Sequence, residues 1–183
     1  EYIVIHDDDD TWYPAFLQET VSFLDSPGGA HYGGVLTRSV YVSESVHSDG
    51  IRVHEIRPYR PDLQPPTFHQ MMARNSYPPI SFLFRRKVYD EIGPFREDYP
   101  VLGDWEFNLR FLERYDIGLV PKDLAYYHHR DTGDTESFGN SVISGVDKHA
   151  RQRAIMRNAY LRRAADGPIE SASAGAINLT VHR

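Results

Sequence analysis

The hydrophobic positions of this chain fall into short apolar runs separated by longer stripes with helical spacing. Residues 2–5 are apolar and β-branched, which is typical of a short buried strand, and four aspartates follow them directly. Residues 14–24 are predicted to form a helix, because apolar side chains repeat there at helical spacing after Pro14. The chain is therefore expected to open with a strand, an acidic turn and an amphipathic helix.

Strands and helices are predicted to alternate along the rest of the chain. Strands are expected within residues 33–46, 80–86 and 117–121, and helices at residues 87–93, 104–115 and 146–165. Residues 48–79 contain several prolines and only weak signals, and are predicted to be an irregular functional insertion or lid. This alternation predicts an α/β domain with a mixed, largely parallel sheet that is flanked by helices.

The predicted organisation is one α/β domain over residues 1–165 and a loosely held tail over residues 166–183. Because the first residues already have the pattern of a buried strand, we expect the chain to begin in the middle of a larger domain, without its first strands. A partial sheet of this kind exposes edge strands, which favours pairing with a second copy of the chain as a homo-oligomer.

Composition excludes several classes of function. The formal net charge of −6 argues against nonspecific binding to nucleic acid or to an anionic membrane. No apolar run reaches the ~20 residues that a transmembrane helix requires. Cysteine is absent, which excludes disulfides and thiolate chemistry. We expect a cytoplasmic protein. The basic helix 146–165 is better explained as a solvated face or a self-association surface, and peripheral attachment to the inner face of the membrane is the alternative.

The run from Asp7 to Asp10 is the strongest chemical signal in the sequence. Carboxylates this close repel one another, and their oxygens suit Mg²⁺ or Mn²⁺. In extended backbone, Asp7 and Asp9 would point to one side, and Asp8 and Asp10 to the other. A solvated acidic turn, in which Asp10 or Thr11 caps the next helix, explains the run equally well.

Two enzyme classes share an apolar strand that ends in Asp-x-Asp. A Mg²⁺-dependent phosphatase of the haloacid-dehalogenase type would use Asp7, Asp9 and Thr11, and "GDWEFN" loosely resembles its late acidic motif. That motif requires a second acid where this chain has Asn108. A nucleotide-sugar glycosyltransferase would instead use Asp7 and Asp9 to hold a divalent ion against a diphosphate. A truncated, non-catalytic binding or assembly module is the third alternative.

Four stretches, in order, resemble the GT-A-fold glycosyltransferases of the large inverting family two. They are "DDDDTWYPAFL", "NSYPPISFLFRRKVYDEIGPFRED", "LGDWEFNLRFLERY" and "VPKDLAYYHHR", and together they extend over residues 1–130. The family's first strands, which contact the nucleotide base, have no counterpart here. The resemblance implies a metal-dependent, inverting transfer of a sugar from a nucleotide-diphosphate donor to a hydroxyl of a carbohydrate or lipid-linked acceptor, in glycan or cell-surface polysaccharide synthesis.

The resemblance also implies a catalytic role for Asp104. This residue matches the family's general base, which takes the proton of the acceptor hydroxyl, although Gly103 replaces the glutamate that usually precedes it. A purely structural role as the N-cap of a helix that starts at Trp105 is compatible with this assignment. Trp105 is predicted to stack on a sugar ring, with a position in the core as the alternative.

The resemblance finally implies a metal site and a set of substrate contacts. The metal would be Mn²⁺ or Mg²⁺, and its ligands would be Asp7, Asp9 and His128. The predicted substrate contacts, besides Trp105, are Asp8, Asp10, His129 and Arg130. Strand alternation lets only one of the two histidines face the site.

Overall fold

The structure is a computed structural model that describes residues 1–131 and 146–166. A six-stranded sheet lies at its centre, with helices packed against it. The strands are β1 (Tyr2–Val4), β2 (Thr11–Trp12), β3 (Gly34–His47), β4 (Gly50–Tyr59), β5 (Phe82–Arg85) and β6 (Ile117–Asp131). The helices are α1 (Phe16–Asp25), α2 (Phe68–Ala73), α3 (Arg86–Ile92), α4 (Gly103–Leu112) and α5 (Val146–Asp166). The prediction of a mixed α/β fold is therefore confirmed.

Most predicted elements occur close to their expected positions. The predicted helices correspond to α1, α3, α4 and α5. The strand predicted at 117–121 is present but continues to Asp131, because it keeps pairing with β3. The predicted tail lies outside the described residues, apart from Asp166, and the division between domain and tail stays a prediction. No helix in the described part of the chain has the length and apolar character needed to cross a membrane.

The sheet is mostly antiparallel, so the prediction of a largely parallel sheet is wrong. Its strand order is β1–β5–β3–β6–β2, and β4 pairs with β3 outside this path. Within the described residues, only β3 and β6 run parallel, whereas the other four strand pairs are antiparallel. The apolar runs are misleading because a strand that is buried on both faces has the same pattern in either orientation.

Residues 48–79 are more regular than predicted. β4 forms an antiparallel hairpin with β3, and α2 begins after Thr67. The Thr67 hydroxyl accepts a hydrogen bond from the Gln70 backbone N–H, and the Gln70 side chain accepts one from the Thr67 N–H. This reciprocal arrangement is a capping box. The sequence gives only a weak signal for β4, because nearly all of its side chains are exposed and no buried face imposes a hydrophobic pattern over the whole strand.

Two hydrophobic clusters cover the two faces of the sheet, and β5 contributes to both. Phe82 and Phe84 belong to the larger cluster, where they contact Phe111 of α4. Leu83, which lies between them, belongs to the smaller cluster together with Phe16 of α1. This alternation follows the two-residue period of a strand. It places α4 on one face of the sheet and α1 on the other.

We expect Gly34→Ala to lower the free energy of unfolding by about 1–3 kcal/mol, the usual cost of overpacking a core. A Cβ at this position of β3 would lie 2.6 Å from Cε2 of Phe82 and 2.9 Å from Cβ of Phe84. Gly103→Ala is the matched control, because a Cβ there meets no described atom within 4 Å. Urea denaturation measures both variants, and equal stability of the two would contradict the close packing of β3 on β5.

Candidate functional site

A cleft of about 1160 Å³ brings the acidic run and Asp104 together. Its walls come from the acidic run, the segments that flank α2, the segment that leads into α4, and the first turns of α5. The charged residues that line it include Asp7, Asp8, Asp9, Asp10, Asp104, Arg74, Arg96 and Arg153. Ionisable groups concentrated in a cavity are typical of functional sites, so this cleft is the candidate site.

The acidic run forms a tight turn between β1 and β2. The backbone N–H of Asp10 donates a hydrogen bond to the carbonyl of Asp7, at 3.3 Å. The alternation expected for extended backbone is therefore wrong, and Asp10 does not point away from Asp7 and Asp9. One carboxylate oxygen from each of Asp7, Asp9 and Asp10 lies within 4.8 Å of the others. Asp8 is exposed and lies outside this group of three carboxylates.

Asp10 is the buried member of the acidic turn, with 3% of its surface exposed. Its Oδ1 accepts a hydrogen bond of 2.8 Å from the backbone N–H of His128 in β6. Burial raises the pKa of Asp10 to about 7; the charges of Asp9 and Asp7 also raise it, and the His128 hydrogen bond lowers it. The helix-cap role considered for Asp10 is wrong, because the N-cap residue of α1 is Ala15.

The side chain of His128 is held by neighbouring strands and does not join the acidic turn. Its Nδ1 lies 3.1 Å from Oε2 of Glu44, and its Nε2 lies 3.2 Å from the hydroxyl oxygen of Thr11. A histidine that binds a metal must offer one ring nitrogen to the ion. The structure therefore does not bring the His128 ring together with Asp7 and Asp9 as predicted. The third side chain of that group is Asp10.

Glu44 of β3 is a neighbour of the site that the sequence analysis misses. It is 3% exposed and accepts a hydrogen bond of 2.9 Å from Nε of Arg130. Burial alone would raise the pKa of Glu44, but hydrogen bonds from Arg130 and His128 outweigh it and hold the pKa below its ordinary value. A glutamate at an inward-facing strand position between Val42 and Val46 is the signal that could have marked it.

His129 and Arg130 lie at the end of β6, next to the cleft rather than in its wall. The ring centroid of His129 is 4.5 Å from that of Tyr127 and 4.8 Å from that of Tyr41. Of these residues, Tyr127 lines the cleft, whereas His129 and Arg130 are not among its described lining residues. Arg130 is the ion-pair partner of Glu44. The substrate contacts of His129 and Arg130 stay predictions.

Asp104 lies half-buried in the first turn of α4, in the wall of the cleft. The helix begins at Gly103 and its N-cap is Leu102, so the prediction that Asp104 caps a helix starting at Trp105 is wrong. Oδ2 of Asp104 accepts a hydrogen bond of 2.8 Å from Nδ2 of Asn75, a residue that the sequence analysis misses. Burial raises the pKa of Asp104, although the hydrogen bonds from the Trp105 backbone and Asn75 lower it.

Trp105 packs in the larger hydrophobic cluster and lines the cleft. It is 5% exposed, and its indole Nε1 donates a hydrogen bond of 2.6 Å to the carbonyl of Met71. The guanidinium of Arg157 in α5 lies 5.6 Å from the centroid of the indole ring. These contacts correspond to the core position considered as the alternative for Trp105, and its stacking on a sugar ring stays a prediction.

The chain is similar to a longer curated protein from Bacillus subtilis (strain 168), which is named an uncharacterized glycosyltransferase, YwdF. The two are 26% identical over 138 residues. The match covers 74% of this chain and 47% of the relative, so the chain spans about half the length of that relative. No protein-family model matches the chain.

We expect Asp10→Asn to raise the free energy of unfolding at pH 8 by up to roughly 4 kcal/mol when divalent ions are absent, at ~1.4 kcal/mol for each pH unit between the ordinary and the raised pKa. An acid whose pKa is raised on folding, here from 3.8 to about 7, destabilises the fold as the pH rises through that interval. The amide removes the charge and keeps an oxygen for the His128 N–H. Urea denaturation in EDTA should show that the stability gained by Asp10→Asn becomes smaller as the pH falls from 8 to 5.

Asp8→Asn is the matched control for this measurement, because Asp8 belongs to the same turn but is exposed. It should change the unfolding free energy by less than about 0.5 kcal/mol at both pH values. If Asp10→Asn is less stable than the wild-type chain, or if it gains the same stability at pH 8 and pH 5, the burial of an ionisable Asp10 is contradicted.

Proposed function

We propose that this chain carries the metal-binding turn and the catalytic base of an inverting, GT-A-type glycosyltransferase of family two. The enzyme would transfer a sugar from a nucleotide-diphosphate donor to a hydroxyl of a carbohydrate or lipid-linked acceptor, in glycan or cell-surface polysaccharide synthesis. The observation that carries the proposal is the presence in one cleft of the acidic turn and Asp104, which are distant in sequence. The name of the Bacillus relative supports a glycosyltransferase in general.

The acidic turn suits a divalent cation. Mg²⁺ binds oxygen ligands at about 2.1 Å, so two ligand atoms around one ion lie up to ~4.2 Å apart. The oxygens of Asp7, Asp9 and Asp10 lie within 4.8 Å of one another, and small side-chain rotations would bring them to that spacing. In this proposal Asp10, and not His128, is the third metal ligand. A bound Mn²⁺ or Mg²⁺ would neutralise negative charge on the diphosphate leaving group.

Asp104 is the proposed general base. Its carboxylate would take the proton of the acceptor hydroxyl as that oxygen attacks the anomeric carbon of the donor sugar, and attack opposite the phosphate would invert the configuration. Asn75 binds one oxygen of this carboxylate at 2.8 Å and so fixes its orientation. Burial raises the pKa of Asp104, which makes its carboxylate a stronger base.

The phosphatase alternative has less support in the cleft. That family also uses a Ser or Thr at the end of a middle strand and a Lys before its late acidic pair. These positions and the second late acid would have to be filled by Thr37, Lys87 and Asn108, and none of the three is among the described residues that line the cleft. Thr37 and Asn108 are buried side chains.

The non-catalytic alternative predicts that neither a metal ion nor a nucleotide changes the stability of the protein. A binding experiment tests this.

A thermal-shift experiment with UDP, GDP, TDP and CDP, each with and without Mn²⁺, tests the proposal. A ligand at 100 times its Kd adds about 2.7 kcal/mol to stability, so the matching nucleotide should raise Tm by about 5–10 °C. The rise should require Mn²⁺ and disappear in Asp9→Ala. It should persist in Asp90→Ala, because Asp90 is exposed on α3 and does not line the cleft. Absence of a shift with all four nucleotides would rule the proposal out for this chain.

Asp104→Asn should separate binding from catalysis. We expect it to keep the Mn²⁺- and nucleotide-dependent rise in Tm, while release of nucleoside diphosphate from the matching nucleotide-sugar falls by at least ~100-fold, a typical loss for a missing base. Asp90→Asn is the control, because Asp90 is exposed on α3 and does not line the cleft. Unchanged turnover in Asp104→Asn would show that another group takes the proton.

A further inference from the structure

Two arginines in the wall of the cleft have no partner among the described residues. Arg74 follows α2 and Arg153 lies in α5, and both side chains are exposed and line the cleft. Arg96, which also lines it, donates a hydrogen bond of 2.5 Å to Asp98. Within residues 1–131 and 146–166, the side chain of neither Arg74 nor Arg153 forms an ion pair or a hydrogen bond. Their charges are therefore available to a ligand in the cleft.

A contact between α5 and α2 places these two arginines close together. Nη2 of Arg157 donates a hydrogen bond to the carbonyl of Ala73, the residue before Arg74. Arg153 precedes Arg157 by one helical turn, so the two side chains leave the same face of α5. Tyr160, which is buried in the larger core cluster, fixes α5 at this contact. The basic patch of Arg74, Arg153 and Arg157 is thus built by tertiary packing.

No described carboxylate forms an ion pair with the side chains of the basic patch. Burial lowers the pKa of Arg157, and the charge of Arg153 lowers it further. The chain as a whole has a net charge of −6, so this patch departs from its surroundings. A concentration of guanidinium groups at the wall of a cleft is typical of anion binding.

The basic patch lies on the same side of the cleft as Asp104. Arg74 is next to Asn75, whose amide binds Asp104 at 2.8 Å. His149, one turn before Arg153 in α5, interacts electrostatically with Asp104. The acidic turn is instead anchored on β6, through the hydrogen bond that Asp10 accepts. The patch therefore adjoins the proposed base rather than the proposed metal site.

We propose that Arg74 and Arg153 bind a phosphate group carried by the acceptor. This inference rests on the proposed function, because it describes the substrate that Asp104 would deprotonate. Guanidinium groups form charge-assisted, bidentate hydrogen bonds with phosphate. The carboxylates in the same cleft would repel an anionic acceptor, so a local cationic patch is required to hold it. The phosphate belongs either to a soluble phosphate ester or to the headgroup of a lipid carrier.

Direct binding of a phosphate ester tests the subsite. Glycerol 3-phosphate is titrated calorimetrically into the chain without divalent ions or nucleotide. Arg74→Gln and Arg153→Gln should each weaken binding by about tenfold, as expected for the loss of a charge-assisted contact. Arg151→Gln is the matched control and should leave binding unchanged, because Arg151 is exposed on α5 but does not line the cleft. Equal weakening in the control would overturn the proposal.

A lipid measurement distinguishes the two sources of phosphate. The chain is sedimented with phosphatidylcholine vesicles that contain or lack phosphatidate. Binding that requires phosphatidate and is lost in Arg74→Gln and Arg153→Gln, but kept in Arg151→Gln, would identify a lipid-carried phosphate. Binding of glycerol 3-phosphate in the calorimeter without binding to the vesicles would identify a soluble phosphate ester as the source of the phosphate. A wild-type chain that binds neither probe would overturn the proposal.

Metal-site variants keep the two proposals apart. Asp9→Ala should lose the Mn²⁺-dependent nucleotide response but keep the binding of glycerol 3-phosphate. Conversely, the double variant Arg74→Gln, Arg153→Gln should keep the nucleotide response, with circular dichroism confirming that it is folded. If the folded double variant loses that response, the arginines bind the donor diphosphate, and the acceptor subsite is overturned while the proposed function stands.

Discussion

The parallel pairing of β3 with β6 is the constraint on which the cleft depends. This ladder extends along nearly all of β3, whereas β1 and β2 are only three and two residues long. Its register sets Glu44 of β3 beside Arg130 and near the ring of His128. The backbone N–H of His128 then anchors Asp10. The acidic turn therefore takes its position from β6, because the two short strands that flank it provide few hydrogen bonds of their own.

The carboxylates of the cleft are held in an unfavourable electrostatic arrangement. Burial raises the pKa of Asp7, Asp10 and Asp104, and the pKa of Asp7 is raised further by the charges of Asp9 and Asp104. An acid with a raised pKa weakens the fold at neutral pH, since the folded state then resists ionisation. A cation bound at the acidic turn would reverse this penalty. Metal binding and stability are thus expected to be linked in this chain.

The sequence predicts the helices of this fold better than its sheet. The apolar stripe of α1 and the helix that contains Asp104 depend on residues three and four positions apart, which a sequence displays directly. Strand orientation depends on distant partners, and nothing within residues 117–131 indicates that they pair in parallel with β3. The sequence pattern does not predict β4 for a different reason, because both faces of this strand are exposed. Local periodicity therefore predicts elements, and tertiary contacts decide their arrangement.

In the candidate site, too, some features follow from the local sequence and others only from tertiary contacts. The acidic run and Asp104 can be found in the sequence, whereas the position of the His128 ring follows from Glu44, which only the fold brings near it. The basic patch likewise arises where α5 packs against the end of α2, through Arg157 and the carbonyl of Ala73. The two ends of the cleft are therefore built independently, one by a turn and one by a helix contact. Substitutions in α5 would therefore alter the proposed acceptor subsite without disturbing the acidic turn.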